Sequence, residues 1–181
     1  MLALNLVEHS WQTSVALSNP NGETAAMYVD MLPPLVCKGQ TVGSNEILVT
    51  VSEVLVIAAE ANPDLTEVLL LVAIIEKQYG MRVVDDLDEC VKSALALEPA
   101  GLNKAFANHA AALIEDSPSR KIELLKSAIH GYELHKDKGA YQYQRVQFAW
   151  DNACEEIQKA GATDWQRYKR QYDKVYKPWN H

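Results

Sequence analysis

Residues 47–79 constrain this chain more than any other stretch. Two strongly apolar segments meet at Ala61-Asn62-Pro63-Asp64, and the second continues through Val68-Leu69-Leu70-Leu71-Val72-Ala73-Ile74-Ile75. A segment that is apolar on nearly every side has to be covered on nearly every side. The stretch therefore reads as a buried helical hairpin against which the remaining elements pack. In its first half Ile47, Leu48, Val51, Val54, Leu55, Ala58 and Ala59 recur at helical spacing, and Ser44-Asn45-Glu46 supplies a cap and a first-turn acid. Pro63 suits the first turn of the second helix, where a missing N–H costs nothing, and Gly80 is expected to stop it.

A membrane span would also be greasy, but the longest uninterrupted apolar run, residues 68–75, is far short of the ~20 residues a bilayer demands. Glu53, Glu60 and Glu67 interrupt its surroundings. Residues 1–10 hold no Lys or Arg and meet Glu8 early, unlike a signal peptide. A chain of 181 residues, 48% hydrophobic and 23% charged, suits one globular domain. Cys37, Cys90 and Cys154 are widely spaced on apolar positions, as buried thiols in a reducing compartment would be, which predicts a cytoplasmic protein.

Ahead of the hairpin, Trp11, Thr13, Val15 and Leu17 alternate with Gln12, Ser14, Ala16 and Ser18, and Met27, Val29 and Met31 alternate again after Asn19-Pro20-Asn21-Gly22. Period two around a turn predicts a small β-hairpin, followed by an extended connector to residue 43. Beyond Gly80, Val84, Leu87, Val91 and Ala94 mark a helix with Asp85, Asp86, Asp88 and Glu89 in its first turns, broken at Pro99. Leu102, Ala105, Phe106, His109, Ala112 and Leu113 give the next stripe. Ser117-Pro118 caps and opens a helix carrying Ile122, Leu125, Ile129 and Tyr132. Tyr143, Val146, Trp150, Ala153, Ile157 and Ala160 form a seam that predicts lengthwise packing on a partner helix. Gly161 closes that helix, and Thr163-x-x-Gln166 reads as a capping box for the last. The expected fold is mainly α: a single helical-bundle-like domain of about seven helices (residues 44–181) behind an N-terminal hairpin and connector (residues 1–43).

The last helix is the most distinctive local feature. Trp165, Tyr168, Tyr172, Tyr176 and Trp179 follow one another at helical spacing, interleaved with Arg167, Lys169, Arg170, Lys174 and Lys177. Cations beside aromatics suit single-stranded nucleic acid, which needs stacking and phosphate contacts together. At about 100° per residue, however, the aromatics share one arc, while Arg167, Arg170, Lys174 and Lys177 lie opposite. That arrangement favours aromatics packed inward and a cationic face outward. The chain's charge is uneven in the same sense: its net −7 divides into −10 over residues 1–100 (14 acidic, 4 basic) and +3 over residues 101–181 (10 acidic, 13 basic).

Residues of other chemistries fall into no recognisable arrangement. His130 and His135 are five apart and diverge around a helix, so they do not make the i, i+4 pair of a zinc site. The acids at 85–89 lack the alternating loop that wraps calcium and read as a solvated first turn, as Asp151 with Glu155-Glu156 reads as an exposed face. His109, on an apolar stripe, reads as a core or interface histidine. No phosphate-cradling glycine loop and no Gly-x-Ser-x-Gly is present. The expected sites are therefore neither catalytic nor metal-binding, and no cofactor is implied.

Asp64-Leu65-Thr66-Glu67, leading to Ile75-Glu76-Lys77-Gln78-Tyr79-Gly80-Met81-Arg82-Val83, resembles the second helix and following turn of acyl carrier proteins. That family carries its prosthetic arm on a serine after an aspartate. Here Asp64 is followed by Leu65, so no attachment site carries over.

These observations favour a non-enzymatic interaction protein, an adaptor, regulator or assembly subunit, that docks a protein partner or a second copy through Trp165, Arg167, Lys169, Arg170, Tyr172, Lys174, Lys177 and Trp179. The alternative is a nucleic-acid-binding protein using the same cations, with Arg120 and Lys121. A third reading is an enzyme assembling Glu76, His109 or His130 from separate helices.

Overall fold

The computed structural model describes residues 66–80, 82, 84–136 and 140–176, with the side chains of 79 and 140–145 excepted. Among these residues the structure is all-helical, with six helices. The expected β-hairpin, the connector, the helix over residues 44–61, Cys37, Lys177 and Trp179 lie outside the described residues. The chain divides into two compact units, Met1–Asp85 and Asp86–His181.

In the first unit, α1 (Thr66–Tyr79) is covered on nearly every side: Val68 and every residue from 70 to 75 are buried, as are Thr66 and Glu67. Its apolar composition leaves no face that gains from water. The helix ends where expected. Gly80 turns into the left-handed region at φ 70°, and its N–H donates to Glu76 O at 3.1 Å. The chain then folds back, with Val84 N–H donating to Glu76 Oε1 (2.9 Å) and Arg82 donating to Asp85 O (2.7 Å).

The second unit holds α2 (Leu87–Ala96), α3 (Gly101–Ile114), α4 (Pro118–His135), α5 (Ala140–Lys159) and α6 (Trp165–Tyr176). Asp86 caps α2, its carboxylate accepting from Glu89 N–H at 2.9 Å, and Leu87, Val91 and Ala94 face inward as their spacing predicts. Asp85 and Val84 stand before the helix rather than in its first turn. Replacing Asp86 with alanine strips a first-turn N–H of its acceptor and should cost about 1 kcal/mol of stability by urea denaturation, with Asp86→Asn close to wild type.

The central element of this unit is α3, which packs on α2, α4 and α5. A single stripe was expected, yet residues 105 to 113 are all buried. Alanine is the reason. Ala105, Ala107, Ala110, Ala111 and Ala112 let neighbours approach from several directions, whereas a stripe drawn from large apolar residues records only one. At Ser117 the expected cap differs too: its side chain makes no capping bond, and α4 opens on Pro118 alone. Of the expected α5 seam, Val146, Trp150, Ala153 and Ile157 are fully buried with α4 and α6 packed against the helix, while Ala160 lies half-buried past its end and the Tyr143 side chain is outside the described ones. Gly161 (φ 82°) ends α5, and Ala162 N–H donates back to Ile157 O at 3.2 Å, the reversal that turns the chain into α6. Because α6 begins at Trp165, its cap position is 164, and Thr163 stands one residue too early for the expected capping box.

No helix among the described residues is long and apolar enough to cross a membrane. Cys154 is buried as expected, and burial pushes its thiol up to about 12; Cys90, read as buried, is exposed on α2.

Candidate functional site

Two places in the second unit carry polar chemistry: the outer face of α6 and a buried cluster where α3, α4 and α5 meet.

Helix α6 is fixed on α5 by aromatic contacts. Tyr172, buried, meets the Trp150 ring edge-on at a centroid distance of 6.0 Å, and Tyr176 meets it at 5.8 Å. Tyr172 and Tyr176 lie 4.9 Å apart. Charge fixes the same side. Lys169 Nζ sits 2.6 Å from Asp151 Oδ1 and 4.5 Å above the Tyr172 ring, so its ammonium is committed to the protein's own groups. At the start of α6, Asp164 accepts from Lys126 Nζ (2.9 Å) and Tyr168 Oη (3.3 Å), tying the turn to α4. The hydrogen bond from Lys126 holds the Asp164 carboxyl below its usual range.

With Tyr172 and Tyr176 inward, Arg167, Arg170 and Lys174 are exposed at i, i+3 and i+7. They form a cationic stripe about 10 Å long, given 1.5 Å of rise per residue. Arg170 Nε donates within its own helix, to Gln166 O at 3.3 Å. Of the residues singled out from sequence, these three share the outward face. Tyr172 and Lys169 belong to the inward contacts, and Trp165 is half-buried. Arg120 is paired with Glu123 (3.0 Å) and Lys121 with Glu156 (3.5 Å).

The buried cluster is one that sequence reasoning missed. His109 has no exposed surface, and its Nδ1 lies 3.1 Å from Tyr132 Oη, which also reaches Ala105 O at 3.5 Å. Asn108 donates to Ser127 Oγ at 2.9 Å. Glu156, expected on a solvated face, is buried between α5 and α4, with Lys159 at 2.8 Å and Lys121 at 3.5 Å. Two cations satisfy that carboxylate, so it can leave water. The Nε2 of His109 and the Oδ1 of Asn152 are buried without a hydrogen-bond partner among the described residues. Burial holds the imidazole down to about 4, outweighing the opposing effects of Glu156 and Asn152. His109 is thus the core histidine its stripe implied, while His130 is exposed. No group of three or more His, Cys, Asp or Glu able to hold a metal ion occurs among the described residues.

No family model, curated protein or solved structure matches the chain.

Proposed function

We propose that the protein is a non-enzymatic helical interaction protein, and that the outward face of α6 is its docking surface for a protein partner or a second copy. The observation that carries this reading is the split of α6 into two faces. Tyr172 and Tyr176 on Trp150 hold the helix in place, and Arg167, Arg170 and Lys174 stand outward. A helix fixed from behind presents its front side chains at low entropic cost, and the acidic balance of residues 1–100 gives a second copy the complementary charge.

The same stripe favours a second reading, phosphate contacts to nucleic acid. The aromatics that would stack bases are turned away from it, which weighs against that use.

Charge reversal separates the two. In the Arg167→Glu, Arg170→Glu, Lys174→Glu variant, the docking reading expects loss of self-association by sedimentation, or loss of a partner recovered by the wild type in parallel pull-downs. Labelled single- and double-stranded oligonucleotides should not bind either form at physiological salt. A wild-type protein that is monomeric at all concentrations and recovers no partner would overturn the docking reading. Oligonucleotide binding that survives physiological salt and disappears on reversal would establish the second.

A further inference from the structure

The cluster around His109 contains a mismatch that its hydrogen-bond inventory resolves. The phenol of Tyr132 has one proton and two acceptors within reach, His109 Nδ1 at 3.1 Å and Ala105 O at 3.5 Å. Donation to the nearer leaves the imidazole proton on Nε2. Asn152 Oδ1, on α5, is a buried acceptor without a partner among the described residues, as Nε2 is a buried donor without one. The Nε2–H tautomer therefore makes one of these atoms a donor and the other an acceptor, and the Asn152 side chain is close enough to act on the imidazole as a hydrogen-bonding group. In this arrangement a neutral imidazole ties α3 to α4 through Tyr132 and faces α5 through Asn152.

A second proton would go onto Nδ1, turning the acceptor of the Tyr132 bond into a donor and placing a full charge in the core. The surroundings offer little to offset it. From α5 the Glu156 carboxylate and the Asn152 side chain favour the charged ring, but that carboxylate already serves Lys159 and Lys121, and burial outweighs both. From α4 Lys121 repels a positive ring. The buried residues of α2 are Leu87, Val91 and Ala94, with no charge among them. On α3 itself the neighbouring Asn108 is engaged with Ser127.

We infer that His109 is an acid-sensitive latch: neutral, it closes α3 against α4 and α5, and on taking up a proton it opens that packing. The sign follows from where the proton binds. The closed form resists protonation down to about pH 4, whereas a solvated histidine takes its proton near 6.5. The latch is fully closed above pH 6.5 and weakens as pH falls toward 4, with no further loss below. From pH 7.5 to 4.5 the opening constant should rise about 70-fold through this one group.

Hydrogen exchange on the full chain tests this. Corrected for intrinsic rates, amides of α3 and α5 should lose protection by about that factor between pH 7.5 and 4.5. The His109→Gln variant, whose amide can still meet Tyr132 but cannot titrate, should lose far less. Equal acid sensitivity in the two proteins would overturn the latch. Should the variant fail to fold, the wild-type protein decides by NMR. A His109 Cε1–H resonance that keeps its neutral position to below pH 5 supports the latch, and one that titrates near pH 6.5 sinks it.

Discussion

Replacing Trp150 with alanine will cost about 3–5 kcal/mol of stability and release α6 from its seat. The magnitude is that of emptying a fully buried tryptophan site that cannot collapse, since transfer and cavity terms add. Trp150 has no exposed surface, and the rings of Tyr172 and Tyr176 both meet it edge-on. Once the indole is gone, α6 keeps the Lys169–Asp151 and Lys126–Asp164 pairs, and partly exposed pairs contribute little each. Urea denaturation should show the loss, and limited proteolysis should show new cleavage within residues 165–176. The variant Trp150→Phe retains an aromatic ring and also removes an indole N–H that has no partner among the described residues, so its cost should be well under half as great. An alanine variant with wild-type stability and an uncleaved α6 would show that the helix is held by its ion pairs instead.

The second large effect is expected at Gly131. A Cβ built there falls 2.6 Å from the Cβ of Ala105 and 3.5 Å from its Cα, because α3 and α4 bring their backbones together at this point. Alanine would gain about 1 kcal/mol in helix propensity. Against that stands a contact closer than real Cβ atoms adopt, with rigid atoms on both sides, and overpacking of this kind costs about 1–3 kcal/mol. Gly131→Ala should therefore destabilise, and Gly131→Val, with two further methyls in the same gap, should destabilise more. The double variant Ala105→Gly with Gly131→Ala swaps the methyl from one helix to the other. It should recover part of the loss, giving a coupling that thermal denaturation of the four proteins can measure. Additive effects would mean that the two helices do not meet through these residues.

Much of the helical framework was legible because it was written in large apolar residues and in glycines. Gly80 and Gly161 end their helices at positive φ, and the seam Val146, Trp150, Ala153, Ile157 is buried as its spacing predicts. The orientation of the described part of α6 was legible as well, since Tyr172 and Tyr176 turn to Trp150 while Arg167, Arg170 and Lys174 stand on the opposite arc. What escaped was written in small residues and in partnerships across helices. Nothing local marks Gly131 as the floor of a helix contact, because the reason is Ala105, 26 positions earlier. The burial of Glu156 depends on Lys121, which belongs to another helix, and no pattern within α5 could announce it. Alanines made α3 look like a one-sided helix when it is enclosed. Ser117 read as a cap because its residue type and the following proline fit, but its backbone N–H is satisfied by Glu115 Oε1 at 2.9 Å and its hydroxyl takes no capping role.

Packing in the second unit follows the order of the chain: α2 on α3, α3 on α4, α4 on α5 and α5 on α6, with α3 on α5 as the one further substantial pairing among its described helices. Each helix emerging from a ribosome thus finds its neighbour already synthesised, and the three-residue connection between α3 and α4 costs little loop-closure entropy. Contacts of such short sequence separation belong to rapidly folding topologies, so this unit can condense from its amino-terminal side without waiting for its last helix.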